Sequence, residues 1–315
     1  MKNHSKQEIF DLAQNYYHQY LLKNKGALQY LYQRGATLRQ IKRHQIGYAP
    51  GGKKLTNHLL KKGIKQKRLK SLQLTNKWGN DFFFDRVMFG NPLYGREIKS
   101  DSDSPYKHLY NFKSDNGSLY NYNSKHKKIL LVEGHFDLLT AERILKDNKF
   151  DLPVVSSYGT NGFQKKHQEQ IRGSCIEKVY IAYDGDLPGI NNAISVAKKI
   201  PLDEVYIVSV PKGQDINEAY GKGESDGDFL KSVKAARHLH RFELELSIQA
   251  VNRSSLDSIL IFLNRNSELI ERAVSYDRSN LEWLCEELDI DLLKAKKYQD
   301  LFSEKPSQVK MKGVS

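Results

Sequence analysis

The sequence predicts an α/β protein centred on a mainly parallel sheet flanked by helices. An α+β part precedes the sheet and a helical region follows it. Three observations predict this. Four short, β-branched apolar runs, at 129–132, 153–155, 179–183 and 205–210, alternate with helical patterns at 136–145, 163–171 and 189–199. Ahead of them, at 81–98, helical texture gives way to Phe82, Phe83, Phe84, Val87, Met88 and Phe89, punctuated by Gly90-Asn91-Pro92 and Gly95. From about residue 228 to near Phe302 the pattern is helical throughout. A chain of 315 residues is long enough for two or three domains, and these textures divide it at 1–124, 125–224 and 225–315.

Taken in order, Ser5 caps a helix to about Lys23 whose apolar face includes Ile9, Phe10, Ala13, Tyr17 and Leu21. A second helix covers 27–33 and stops at Gly35; Thr37 caps a third through Ile41, before an extended segment at 46–50. Residues 53–70 read as one or two basic helices. The polar stretch 100–123, with Tyr106, Tyr110 and Phe112 spaced through it, predicts irregular structure with short strands. After the alternating region come apolar positions suited to a small helical bundle, among them Leu244, Ile248, Ile259, Leu263, Leu284 and Leu288. The residues from Ser303 onward are expected to fray.

The formal net charge is +13 and there are only two cysteines, Cys175 and Cys285. A chain this basic is expected to meet a polyanion, with nucleic acid the first candidate. Two isolated cysteines imply neither a disulfide framework nor a cysteine-based zinc site. No apolar run approaches the roughly 20 residues needed to span a bilayer, and the N-terminus lacks a signal-peptide pattern. A cytoplasmic protein with no membrane partner is the expectation.

Three acidic clusters follow expected strands: Glu133-Gly134-His135-Phe136-Asp137, then Asp184-Gly185-Asp186, then Asp215-Ile216-Asn217-Glu218. Carboxyl ends of parallel strands share one rim, where ligands bind, so the clusters can converge. Crowded carboxylates repel one another unless a cation stands among them. Oxygen-only donors select Mg²⁺ or Mn²⁺, not zinc. A single Asp after a strand is more often a helix cap; three such clusters in series point to a site.

Lys53, Lys54, Lys61, Lys62, Lys65, Lys67, Arg68 and Lys70 form a dense basic stretch suited to phosphates. Trp78, Phe82, Phe83 and Phe84 are candidates for base stacking, although core packing suits most of them better. His135 is read as non-essential. His238 and His240, two apart, are expected on different faces of a helix and not as a metal pair.

These residues resemble a known family. Glu133 to Asp137, Val154 to Thr160, Tyr183 to Gly189 and Val210 to Asp215 look like the Toprim domain of bacterial DnaG-type primases. Upstream, Arg34-Gly35-Ala36, Ile46 to Pro50, Asp85 to Phe89, Gly95 to Ile98 and Tyr106 to Leu109 are similar, in order, to motifs of the primase N-terminal subdomain. The resemblance implies a Toprim fold for 125–224, and catalytic roles for Glu133, Asp137, Asp184 and Asp186. It implies divalent-metal ligation by Glu133, Asp184, Asp186, Asp215 and, where the family usually has aspartate, Asn217. Arg86, Arg96 and Lys107 match its template and nucleotide contacts, to which the basic stretch adds Lys61, Lys62, Lys65 and Arg68. The implied activity is synthesis of short RNA primers from NTPs on single-stranded DNA. The implied partners are a replicative helicase or a separate zinc-bearing subunit, since this sequence has too few cysteines for the family's zinc module. Leu187-Pro188 replaces the basic and small residues usual there, and the helical tail matches no motif of the helicase-binding domain. Two other readings compete: a Toprim nuclease, and a nucleic-acid-binding adaptor without efficient chemistry.

Overall fold

The computed structural model describes residues 4–90, 93–98, 107–111, 118–159 and 162–290. Expectations at Tyr106, Phe112, Thr160 and the tail from 291 lie outside them. The chain divides into two compact units, 1–236 and 237–315.

The first unit opens on α1 (Lys6–Leu21), where Ser5 and Glu8 make a reciprocal capping box. Ile9, Ala13, Tyr17 and Leu21, at helical spacing, are fully buried along it. Asn24 and Thr37 cap α2 (Lys25–Gln33) and α3 (Leu38–Arg43). Next come β1 (Gly47–Ala49), α4 (Lys54–Lys61) and α5 (Gln66–Ser71). Neither α4 nor α5 has a cap on its own N-cap residue. Asp81 caps α4 from a distance instead, accepting from the Leu55 and Thr56 amides at 2.9 Å each and from the Thr56 hydroxyl at 2.6 Å. β2 (Arg86–Phe89), β3 (Tyr94–Glu97) and β4 (His108–Tyr110) complete an antiparallel sheet in the order β1-β2-β3-β4.

The alternation read from the sequence then appears as β5 (Lys128–Val132), α6 (His135–Asp147), β6 (Val154–Ser156), α7 (Lys165–Arg172), β7 (Lys178–Ala182), α8 (Leu187–Ala197) and β8 (Val205–Ile207). Strands β6, β5, β7 and β8 lie side by side in that order, all parallel. Two short helices, α9 (Ile216–Tyr220) and α10 (Asp226–Lys234), close the unit. One core joins the two sheets: Leu130 and Val132 of β5 and Leu138, Leu139 and Ile144 of α6 cluster with Leu31, Ile41, Ile46, Val87 and Phe89 from the N-terminal part. Phe229 and Val233 of α10 belong to this cluster too, which is why the compact unit runs on to 236. Burying each such side chain contributes about 1.5–3 kcal/mol.

The second unit contains β9 (Arg237–His238), α11 (Leu239–Ile248), α12 (Leu256–Arg265), α13 (Ser267–Tyr276) and α14 (Ser279–Leu288). Leu244, Ile248, Ile259, Phe262, Ala273, Leu284 and Leu288 form its core, as the apolar spacing suggests. His238 precedes α11 as its N-cap and stacks on Tyr276 at 3.6 Å. The two-faces picture of His238 and His240 is therefore corrected: only His240 is within the helix, and the rings meet edge-on at 4.9 Å.

Candidate active site

Strands β5, β7 and β8 are neighbours and parallel, so their carboxyl ends open on one rim. Val132 pairs with Ala182, which brings Glu133 and Asp184 off adjacent strand ends. The chain after β8 returns across the same rim to Asp215. It is pinned there by Gly185, whose amide donates to the Gln214 carbonyl (2.9 Å) and whose carbonyl accepts from the Gly213 amide (3.1 Å). Only glycine fits at 185: a Cβ would lie 2.1 Å from the Pro211 carbonyl oxygen.

Three of the acidic residues also serve the helices that follow the strands. Asp186 caps α8, accepting from the Gly189 amide at 2.7 Å. Asp215 caps α9, accepting from the Glu218 amide at 2.6 Å. Asp137, buried in the first turn of α6, accepts from the Gly134 amide (3.1 Å) and the Asn217 amide (3.2 Å). These hydrogen bonds hold each carboxylate at the start of its helix, beside the strand ends.

The carboxylates share one electrostatic neighbourhood. Burial, then the charges of Glu133, Asp137, Asp215 and Asp186, push Asp184 up to about 8. Burial and Asp215 push Asp137 up to about 7, against the pull of its two backbone amides. Five carboxylates crowded on one rim make a donor set that favours a hard cation. Among the described residues no three His, Cys, Asp or Glu side chains close on a common point.

Asn217 is buried, and its amide nitrogen donates to the Arg34 carbonyl and the Thr140 hydroxyl, both at 2.8 Å. It joins α9 to the loop after α2 and to α6, leaving only its amide oxygen as a donor atom for a metal.

The candidate cations sit on the N-terminal sheet and on α4 and α5. Arg86 is buried, with a guanidinium nitrogen donating to the Lys107 carbonyl at 3.1 Å. Arg96 is half-buried and lies 3.0 Å from His108 Nε2. Desolvation and the charges of Arg96, Lys107 and Arg86 hold His108 down to about 4. It is thus neutral at pH 7, its Nε2 accepts from Arg96, and its Nδ1–H donates to the Tyr94 hydroxyl at 2.7 Å. Lys107 is exposed, as are Lys61 and Lys62 at the end of α4, Lys65 at the start of α5 and Arg68 within it.

His135 sits inside the first acidic motif but faces the other way. It is buried, lies 4.6 Å from Tyr94 in a parallel stack, and also meets Phe89, Tyr120 and Tyr158. Burial holds it down to about 3, so it is a neutral aromatic wedge between the two sheets' subdomains.

Comparison with known proteins matches both halves of this unit. Residues 16–97 match the family described as the N-terminal domain of the DNA primase catalytic core, and residues 130–220 match the Toprim-like family. Those two stretches carry, in order, the two domain types of a DnaG-type catalytic core. A DNA primase from Aquifex aeolicus is 27% identical, over 90% of this chain and 66% of its own length. One from Clostridium acetobutylicum is 25% identical, over 82% of this chain and 46% of its own length. The chain thus spans about half to two thirds of these relatives. In fold, the core is similar to the RNA polymerase domain of Mycobacterium tuberculosis DnaG in complex with double-stranded DNA, with a TM-score of 0.75 at 18% identity, over 91% of this chain and 99% of that one. It is also similar to a DnaG primase catalytic domain bound to single-stranded DNA, with a TM-score of 0.66 at 22% identity, over 92% and 98%. No helix among the described residues of the core is long and apolar enough to cross a membrane.

Sequence reasoning missed the joints of the DnaG-type core. Glu142 of α6 binds His44 (2.9 Å) and Arg43 (2.8 Å), and Gln40 donates to the Leu139 carbonyl at 2.6 Å. Arg143 pairs with Asp226, fixing α10 on α6. Their partners are about 80–100 residues away, and no local pattern marks them.

Proposed function

We propose that this core synthesises short RNA primers on single-stranded DNA, with Mg²⁺ or Mn²⁺ bound at the acidic rim. What supports the reading is that the charges of Glu133, Asp137, Asp186 and Asp215 all act on Asp184, in a unit whose two halves match the primase N-terminal and Toprim-like families. In nucleotidyl transfer, a ribose hydroxyl oxygen attacks the α-phosphorus of an NTP, its proton leaves to a base, and pyrophosphate departs. The bound ion would supply charge neutralisation at the triphosphate and a more acidic hydroxyl. Asp184, Asp186 and Asp215 would hold it, helped by the Asn217 amide oxygen, with Asp137 orienting α9 beside it. Glu133, at the end of β5, would accept the hydroxyl proton or join the ligands. Arg86, Arg96 and Lys107 would grip nucleotide and template phosphates, and Lys61, Lys62, Lys65 and Arg68 the template further away. A replicative helicase or a zinc-bearing subunit would supply loading and choice of start site, in the cytoplasm where replication takes place.

The test is a priming assay on single-stranded DNA with labelled NTPs and Mg²⁺ or Mn²⁺, with and without helicase. Metal-dependent oligoribonucleotides from the wild type and none from Asp184→Ala support the reading. Equal product from both, or DNA cutting without NTP incorporation, would overturn it.

A further inference from the structure

The aromatic run of the N-terminal subdomain does not all go into the core. Phe83 is fully buried and Phe82 packs on it edge-to-face at 5.0 Å. Trp78 and Phe84, in contrast, are 71% and 63% exposed. Both places are built. Trp78 stands on a tight turn in which the Asn76 side chain accepts from the amides of Trp78 (3.0 Å) and Asn80 (3.1 Å). The turn is closed by an antiparallel bridge between Thr75 and Asp81. Asp81 then fastens it to the start of α4, through the Gly52 carbonyl as well as the cap described above. Phe84 lies against Gly51, where even a Cβ would come within 2.2 Å of the ring. A ring whose backbone is already held in place costs less ordering entropy when a partner binds it.

Charge selects the partner. Residues 51–80 contain nine lysines and arginines and no aspartate or glutamate. The Lys77 ammonium stands 4.4 Å over the Trp78 ring, so a cation and a stacking surface occur at one point. Aromatic faces interleaved with cations that follow a backbone are what unpaired, single-stranded nucleic acid binds, because every base has a π-face and every linkage a charge. A duplex offers the charge but keeps its faces stacked inside.

We propose that Trp78 and Phe84 are stacking sites for unpaired bases of a single DNA strand whose phosphates are held by the lysines of residues 51–80. The inference rests on the reading of single-stranded DNA as template, and extends it to a surface that needs neither metal nor NTP.

Trp78 and Trp283 are the two tryptophans of the chain, so Trp283→Phe leaves Trp78 as the fluorescent reporter. Titrating that variant with an oligo-dT strand, without metal or NTP, should quench its emission. Inorganic polyphosphate, which carries the charge without bases, should not. Independently, anisotropy of labelled oligo-dT in the otherwise native chain should show binding weakened roughly ten-fold by Trp78→Ala or Phe84→Ala. Trp78→Phe should retain most of the affinity, and a blunt duplex should bind all variants alike. Unchanged oligo-dT affinity in both alanine variants, or equal quenching by polyphosphate, overturns the stacking proposal and leaves primer synthesis standing. Absent binding of oligo-dT by the wild type overturns the stacking proposal and the template reading together. Binding with the stated pattern but without primer synthesis supports the stacking sites and sinks the proposed activity alone.

Discussion

Asp184 holds its proton far above the ordinary carboxylate range, at about 8 instead of 3.8, because burial and four neighbouring carboxylates oppose its charge. Between about pH 4 and 8 the folded chain keeps a proton that the unfolded chain releases, so without metal the fold loses stability as pH rises through that window. Asp184→Asn removes the penalty. The melting temperature of the metal-free variant at pH 8 should exceed that of the wild type, and its fall between pH 4 and 8 should be shallower. Primer synthesis should drop roughly a hundredfold or more. Thermal melts across pH check the first part, and an equal pH slope in both proteins would contradict it. Asn217 gives a second prediction at this scale. Its amide nitrogen donates to the Arg34 carbonyl and to Thr140, so Asn217→Asp turns a donor into an acceptor facing a carbonyl oxygen. Urea unfolding should show a loss of about 1–3 kcal/mol. An unchanged midpoint would mean that the residue is not the joint described. The acidic motifs were legible in the sequence because their spacing is local. The two tasks of Asn217 and the wedge formed by His135 were not, since Arg34, Thr140, Tyr94 and Tyr120 reach them only through the tertiary fold.

The elements behave as the apolar patterns demand, and their ends make the site. β5 and β7 were legible because Ile129 to Val132 and Val179 to Ala182 are short apolar runs that follow a lysine and lead into an acidic cluster, and α1 because Ser5 marks its start. Less was visible after β8. Its paired register stops at Ile207, Val208 adds one more amide bond to the Ile181 carbonyl (2.8 Å), and Ser209 and Val210 lie past the strand. The five-residue α9 has too few turns for a periodic signal, and α10 was read with the helical tail although its Phe229 and Val233 lie in the core of the first unit. A pattern shows that a face is apolar, not which core it enters. The return of the loop at 211–214 depends on Gly185, and this allows a prediction at the element scale. Gly185→Ala puts a methyl 2.1 Å from the Pro211 carbonyl oxygen, and because the obstacle is backbone the loop has to shift and carry Asp215 with it. Far-ultraviolet circular dichroism should stay close to that of the wild type. The midpoint for activation by Mn²⁺ should move upward by several-fold, as follows when a ligand is misplaced. An unchanged Mn²⁺ midpoint would show that the loop does not set the position of Asp215.

At the scale of the molecule, the charge is not spread evenly. Residues 1–124 hold twenty-two lysines and arginines against eight acidic residues, whereas 125–224 and 225–315 are each close to neutral. The excess that gives the chain its +13 therefore belongs to the N-terminal part, and within it above all to the stretch around α4 and α5. Such a distribution separates two kinds of dependence that a uniformly basic protein would mix. Binding to a strand should draw on released counterions at the basic part and fall steeply with salt, by about 0.7 log units per log of salt for each phosphate neutralised. Chemistry should depend on the acidic rim and on metal. Replacing Lys61, Lys62, Lys65 and Arg68 together by alanine, all exposed and outside the cores, should leave the fold intact and lower the salt slope of oligo-dT binding by up to about 2.8, that is about 0.7 for each of the four cations removed from a phosphate. Asp184→Ala should leave that slope where it was while abolishing synthesis. A single titration series in KCl, read by anisotropy for the wild type and both variants, decides the matter. If the four-fold variant keeps the wild-type slope, the phosphates are held elsewhere, and the basic helices are a solvated surface whose charge serves solubility alone.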